Sequence, residues 1–430
     1  MADNNVLNGK KLLLLGTNTA TCDMVKYAQS QGVYVFVTDN LPPEKSAAKL
    51  IADETWNIST ADVDSLERMV RTNDVDGVFA GVSEFNLEKA LTLCERLNLP
   101  FYASRALWNI STDKKRFKKM FQDQGIQVPE EFYIDHRFKH VDLSRIEYPV
   151  IVKPIGSSGS RGISICRNES ELRTAYKKAM SVSERNEILV EKFVPGDEVG
   201  IEYTLKDGDM SLSCMLDKYL NYEVAPMPVK EFSIYPSKHL DSYINDNVNE
   251  MVKSAYLCNG FKNGVLFIQG KVTEKGFVFF EMGYRIRGGA LYSLISRFNR
   301  INYMEMLVNY SLTGRMLGYD LTLDDPYFKK YYSQVTLNAR QGVVGKIEGL
   351  DKIKRMVNVI NITQFYDIGD RITAPDGTLR QGIVRPEIIA ESKEELIEII
   401  KDIENTLKVY DDRGLNMLHK RMDKSGLKLR

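Results

Sequence analysis

Tyr148-Pro149-Val150-Ile151-Val152-Lys153-Pro154-Ile155-Gly156-Ser157-Ser158-Gly159-Ser160-Arg161-Gly162 is the stretch from which the rest of the chain can be read. Its apolar, β-branched half predicts a strand. That strand delivers one lysine at its end, just ahead of a loop made almost wholly of Gly and Ser. Gly permits backbone angles that other residues resist, and Ser keeps a loop small and polar. Such a loop can turn successive N–H groups onto an anion, and a lysine beside it supplies a point charge for the same oxygens. The pattern predicts a nucleoside triphosphate site with Lys153, Gly156, Ser157, Ser158, Gly159, Ser160, Arg161 and Gly162 around the phosphates.

Upstream, strand and helix signals alternate: strands at 12–15, 33–37 and 77–80, helices at 20–30, 62–71 and 86–97, with Phe101-Tyr102 closing the run. This rhythm predicts an open parallel sheet covered on both faces. Gly16-Thr17-Asn18 follows the first strand but lacks the G-x-G-x-x-G spacing, so the sheet is Rossmann-like without a dinucleotide fingerprint.

Near residue 110 the character changes. Ser111-Thr112-Asp113 reads as a cap before a basic helix at 114–124. After the glycine loop come a helix at 169–182, a strand at 188–193 broken by Pro195-Gly196, and a strand at 199–205. Alternating apolar runs at 264–271 and 276–282 predict an antiparallel hairpin. Beyond about residue 320 a third unit holds strands at 334–339, 342–346, 356–362 and 382–387 and a helix opened by the capping box Ser392-Lys393-Glu394-Glu395. The tail from Asp411 is polar and is expected to fray. The fold expected is α/β followed by α+β: a unit at 1–110, a two-lobed unit at 111–320 hinged at 189–198, and a small mixed unit at 321–430.

Composition sets few limits beyond these. With 430 residues the chain is too long for one core. Lys plus Arg and Asp plus Glu number 58 each, so no global field draws the protein to nucleic acid or an anionic membrane. No early apolar run is long enough to span a bilayer, and a cytoplasmic protein is expected. The five cysteines are scattered without a C-x-x-C pair, which argues for thiols in place of a disulfide framework. His136 and His140 have i, i+4 spacing but sit in a polar connection, where a metal site is not expected.

Among phosphate-binding plans, a P-loop would need Gly-Lys-Ser/Thr where Arg161-Gly162-Ile163 stands. A protein kinase would place its glycine loop before the lysine and would carry H-R-D and D-F-G segments, which are absent. The stretch 148–166 instead resembles the strand, lysine and glycine loop of the ATP-grasp superfamily, in its biotin carboxylase and carbamoyl phosphate synthase large-chain branch. Further pieces follow in family order: Thr112-Asp113-Lys114, the hinge-like Leu189-Val190-Glu191-Lys192-Phe193-Val194-Pro195-Gly196-Asp197-Glu198, and Phe279-Phe280-Glu281-Met282-Gly283-Tyr284-Arg285.

The resemblance implies ATP as substrate, with Mg²⁺ (or Mn²⁺) as cofactor. It assigns Lys114 to the phosphates, Glu191, Lys192, Phe193 and Val194 to the adenine edge through backbone groups of Lys192 and Val194, and Glu198 to the ribose. Gln269 and Glu281, twelve residues apart on the two hairpin strands, can converge on one face as oxygen ligands suited to Mg²⁺. The family's usual third ligand is an Asn where this chain has Gly283. Arg285 matches the arginine that steadies an acyl phosphate. Arg287 lies on the same side of an extended segment, before Gly288-Gly289, and Lys230 stands six residues before Pro236 as a lysine near the acceptor does in biotin carboxylase.

The activity implied is an ATP-dependent ligase that joins small-molecule carboxylate and amine substrates through an acyl phosphate. Two rivals stand beside it: a carbamoyl phosphate synthase-like kinase of bicarbonate, and a nucleotide-binding module that has lost turnover. Nucleic-acid and membrane partners are not expected, and a homodimer is left open.

Overall fold

The structure, a computed structural model, describes residues 6–155, 162–183, 185–222, 228–289, 291–373 and 379–424. The first unit follows its pattern. Strands Glu54–Trp56, Tyr34–Thr38, Lys11–Leu15 and Gly77–Phe79 lie in that order, all parallel. Helices Thr19–Ser30, Val63–Thr72 and Glu84–Leu97 begin at Asn18, Asp62 and Ser83, whose side chains accept from helix N–H groups. Such caps satisfy donors that the first turn leaves unpaired.

The lysine strand, Val150–Pro154, belongs to a separate four-stranded sheet in the order Glu131–Phe132, Ile188–Lys192, Val150–Pro154, Ser164–Cys166. Helix Glu169–Met180 covers it, and Val150, Val152, Cys166, Leu172, Ala175, Ala179 and Val190 make its own small core.

The third sheet is the largest. It runs Gly276–Gly283, Gly264–Thr273, Asp197–Lys206, Asp209–Asn221, Val229–Tyr235, Tyr331–Val335, Gly382–Ala390, Leu337–Asn338, with Val359–Gln364 also on Gly382–Ala390. The predicted hairpin is present. So are two strands the sequence reading lacks, Asp209–Asn221 and Val229–Tyr235. Tyr331–Val335 pairs with Val229–Tyr235, so hydrogen bonding passes straight through the boundary expected near residue 320.

Cores ignore the expected boundaries too. One cluster joins the first unit to the large sheet; Tyr102 and Tyr284 meet edge to face at 5.1 Å within it, and Tyr102 Oη donates to the Tyr284 carbonyl at 2.7 Å. A second cluster, with Val335, Val384, Ile388, Leu396 and Ile400, backs the C-terminal strands. The tail is held through residue 424, against the expectation of fraying: Met422 N–H donates to both Glu231 carboxylate oxygens at 3.2 Å, and Lys424 pairs with Glu404 at 2.8 Å. His136 and His140 are exposed, and no group of three or more His, Cys, Asp or Glu among the described residues could hold a metal. All five cysteines are free, and no described helix is long and apolar enough to cross a membrane.

Candidate active site

Lys153 ends its strand inside a cluster of lysines. It is 7% exposed, and its Nζ donates to Glu191 Oε2 at 2.5 Å. Glu191, fully buried, also receives Lys118, which in turn reaches Glu131 at 2.6 Å. Helix Lys114–Gln122 starts on the Asp113 cap and stacks Lys114 one turn ahead of Lys118. Burial, then repulsion from Lys114 and Lys118, pushes the Lys153 ammonium down to about 7. Burial likewise lowers Lys118. Three ammoniums thus gather where one interior carboxylate is shared, an arrangement that polyanionic phosphates complete.

Lys153 also faces the hairpin. Its Nζ lies 5.1 Å from the Phe280 ring centroid, and the charges of Glu281 and Glu198 act on it. The two sheets therefore share one cleft, with Lys153 on one wall and the hairpin on the other. The sites assigned to Gly156, Ser157, Ser158, Gly159, Ser160 and Arg161 lie outside the described residues. Gly162, where description resumes, has φ +80° and abuts Val182 and Pro154, so only glycine fits there.

Gln269 and Glu281 stand directly opposite each other on the hairpin strands, as their spacing predicts. The Glu281 carboxylate takes no hydrogen bond from any described residue, whereas the Gln269 carbonyl oxygen accepts from Lys218. A free carboxylate, an amide oxygen and nearby phosphate oxygens suit Mg²⁺, which keeps several waters and needs few protein ligands. A third ligand at position 283 has no room: a Cβ on Gly283 would meet the Phe267 ring at 2.5 Å. That ring instead underlies the arginines, 5.1 Å from Arg285 and 6.0 Å from Arg287.

Neither arginine pairs with Glu281. Arg285 reaches Glu84, at the start of a first-unit helix, at 3.4 Å. Arg287 pairs with buried Glu202 at 3.2 Å, and burial raises the Glu202 carboxyl to about 7 despite that pairing. Gly200 makes the approach possible, since a Cβ there would sit 2.7 Å from Arg287 Nη1.

Lys192 N–H is already committed to the Glu130 carbonyl at 2.9 Å, because Lys192 lies within a paired strand, and its ammonium meets Glu147 in solvent. Phe193 N–H goes to the Pro149 carbonyl. Val194 N–H has no partner among the described residues, which leaves it available to a ligand edge. Glu198 is tied to Lys218 at 2.8 Å and Lys271 at 3.2 Å. Burial alone would raise its carboxyl, and the two ammoniums outweigh that and hold it at about 2.

These pairs belong to a longer feature that the sequence did not reveal. Residues opposite each other across antiparallel strands share a face. The register runs Lys271, Glu198, Lys218, Ser233, Gln334, Glu387, Asn361, one residue from each of seven successive strands. All seven are polar. A polar row across a sheet costs free energy unless its groups find partners, and Ser233 Oγ is buried with none among the described residues. The row starts beside the Lys153 cleft and ends in the C-terminal strands. Lys230 lies near it, on the Ser233 strand, with no partner for its ammonium among the described residues.

Against known proteins, residues 146–292 match the family model of the ATP-grasp domain. The carbamoyl phosphate synthase large chain of Clostridium beijerinckii is 22% identical over 333 residues, covering 74% of this chain and 30% of its own length. The chain thus spans about a third of that relative. An L-amino acid ligase from Bacillus licheniformis superposes with TM-score 0.78 at 19% identity, covering 94% of this chain and 99% of that one. The biotin carboxylase domain of the Hydrogenobacter thermophilus 2-oxoglutarate carboxylase, solved with MgADP and bicarbonate, gives 0.73 at 19% identity, covering 93% and 90%. At these identities the structural likeness establishes the fold.

Proposed function

We propose that the chain, whose residues 146–292 match the family model of the ATP-grasp domain, is an ATP-dependent carboxylate–amine ligase of the ATP-grasp superfamily, in the branch of biotin carboxylase and the carbamoyl phosphate synthase large chain. A substrate carboxylate oxygen attacks the γ-phosphorus, and ADP leaves. The amine then attacks the acyl carbon and loses a proton, phosphate departs, and a carbon–nitrogen bond remains. An amine is chosen as the second substrate because the fold is shared with a protein described as an L-amino acid ligase.

The chain's own groups have distinct parts in this reading. Lys153, Lys114 and Lys118 hold the phosphate tail by charge, with Glu191 keeping Lys153 aimed into the cleft. Val194 meets the adenine edge. Gln269 and Glu281 would hold Mg²⁺, whose charge would offset that of the phosphate oxygens. Arg285, on its Phe267 support, faces the transferring group, and Arg287 orients the acceptor. No nucleophilic Ser or Cys is required, since activation resides in the mixed anhydride.

The carrying observation is that Lys153 Nζ faces the hairpin, 5.1 Å from the Phe280 ring, next to the Glu281 carboxylate, which has no hydrogen-bond partner among the described residues. A coupled ADP-release screen over paired carboxylates and amines tests the reading, with Glu281→Gln as control. ADP production should fall at least about a hundredfold in the control; full retention would refute the metal assignment. Gly283 favours one second reading, a nucleotide-binding module without turnover. Metal-dependent ATP binding with no ADP release from any pair would establish that one.

A further inference from the structure

Lys218 lies between two groups assigned to the nucleotide, the ribose carboxylate Glu198 and the ion ligand Gln269. It is opposite Glu198 across one pair of strands, and Glu198 is opposite Lys271 across the next. Its Nζ donates to Glu198 Oε1 at 2.8 Å and, reaching over the strand of Glu198 and Gly200, to Gln269 Oε1. Its side chain is 9% exposed. An ammonium carries three donors. Two are used here, and the third has no partner among the described residues.

The oxygens around it leave room for one divalent ion. Gln269 stands opposite Glu281, whose carboxylate accepts from no described residue. An amide oxygen has two lone pairs, so Gln269 keeps one for an ion after accepting from Lys218. Mg²⁺ needs only one or two protein oxygens when waters and phosphates complete its shell. A second ion finds no such set among the described residues. Both oxygens of Glu198 are taken, one by Lys218 and the other by Lys271 at 3.2 Å. Glu202 is paired with Arg287 at 3.2 Å. Gly283 backs onto the Phe267 ring, where a Cβ has no room. Lys218 also repels any further cation brought up to the Gln269 oxygen.

Lys218 is distinct from the lysines around Lys153. Those share Glu191 on the smaller sheet, whereas Lys218 belongs to the large sheet that carries Glu281 and Gln269. A phosphate tail in the cleft thus meets ammoniums from both walls.

Resting on the ligase reading, we propose that the Lys218 ammonium is a built-in cation of the nucleotide site: it gives its third N–H to the phosphate tail beside a single divalent ion on Glu281 and Gln269, and it occupies the position a second ion would take.

The test counts ions. Mn²⁺ is titrated onto the full chain, held in excess over a non-hydrolysable ATP analogue, and free Mn²⁺ is read from its EPR signal. Wild type should bind one Mn²⁺ per analogue. Lys218→Gln releases Glu198 Oε1 and the Gln269 oxygen, so a second ion should enter. Analogue affinity at low Mn²⁺ should fall at least about tenfold, and it should return as Mn²⁺ is raised and the count reaches two. Lys218→Arg should keep one ion and most of the affinity. Two ions per analogue in wild type overturn the proposal. So does a Lys218→Gln protein with wild-type affinity and one ion, or one whose lost affinity no Mn²⁺ concentration restores, since a merely structural lysine would behave that way. Should Lys218→Gln fail to fold, the wild-type count decides alone. An analogue that wild type does not bind at any Mn²⁺ concentration would sink the nucleotide reading instead.

Discussion

Glu191→Gln isolates the charge on which Lys153 depends. Removing one partner of a buried ion pair costs about 3–5 kcal/mol, because the other charge is left uncompensated. Lys118 keeps Glu131 at 2.6 Å, so most of that loss falls on Lys153, which has no second carboxylate at ion-pair distance among the described residues. The loss must also depend on pH. The folded Lys153 ammonium is already pushed from 10.5 to about 7 by burial, Lys114 and Lys118, and the variant pushes it lower. A buried ammonium is a cost fully present below its folded pKa. It disappears as pH rises toward 10.5, where the folded lysine has released a proton that the unfolded chain keeps. The deficit relative to wild type is therefore largest at low pH, about 2.7 kcal/mol at pH 5, and is lost as pH rises through about 7, where wild-type Lys153 gives up its proton as well. Because this lobe has its own core, it can open without the rest. Hydrogen exchange of Val150–Pro154 and Ile188–Lys192, corrected for intrinsic rate, is the suitable assay. Protection should fall by about a hundredfold at pH 5 and return close to wild type at pH 9. A loss below about tenfold at pH 5, or one equal at both pH values, would refute the dependence of Lys153 on Glu191.

Three other substitutions read other parts of the cleft. Gly200→Ala places a Cβ 2.7 Å from Arg287 Nη1 and should displace that arginine; ADP release with an active substrate pair should drop about a hundredfold while MgADP affinity, by calorimetry, holds. Gly283→Asn should not supply a missing metal ligand: its Cβ would meet Phe267 at 2.5 Å, and the thermal midpoint should fall by the equivalent of about 1–3 kcal/mol with no gain in Mg²⁺ affinity. Glu231→Gln removes the charge that faces Lys424 and the Met422 N–H, so amides of 415–424 should exchange at least about tenfold faster.

What the sequence disclosed was local. The Lys153 strand, the Asp113 and Ser392 caps, and the Gln269–Glu281 hairpin are each written within a few adjacent residues or one short turn. Lys118 escaped notice because it sits in a basic run that looks solvated, and only Glu131 and Glu191 from other elements bury it. Its i, i+4 spacing from Lys114 was the one available signal. The strands Asp209–Asn221 and Val229–Tyr235 were hidden by Asp217, Lys218 and Glu231, which interrupt apolar alternation because their side chains have buried polar partners. The register that puts Phe232 opposite Val335 joins residues over a hundred positions apart, and no local pattern encodes it. Arg385 was inside a predicted strand, yet its surroundings come from Gly289, Thr336 and Phe365.

Connectivity also separates the two ends of the cleft mechanically. The polar row lies on one hydrogen-bonded sheet, so the spacing from Lys271 to Asn361 is fixed by ladder bonds. Lys153 and Glu191 belong to the other sheet, whose core is distinct, and reach the large one through the 193–196 hinge, the Phe280 ring and Lys118. Lys118 sits on a helix whose Phe117 and Phe121 lie in the large core. Opening the lobe must therefore break Lys118 from Glu191 while leaving Lys153 on it. A phosphate tail bound between the lobes would take the place of that shared carboxylate for both ammoniums and favour the closed arrangement. Nucleotide affinity should then respond to changes at 118, 153 and 191, with little coupling to changes at 385, on the Glu387 strand at the far end of the row. A double-mutant cycle of Lys118→Met with Arg385→Gln measures that coupling in MgADP binding; an interaction energy above about 0.5 kcal/mol would show that the ends are not independent.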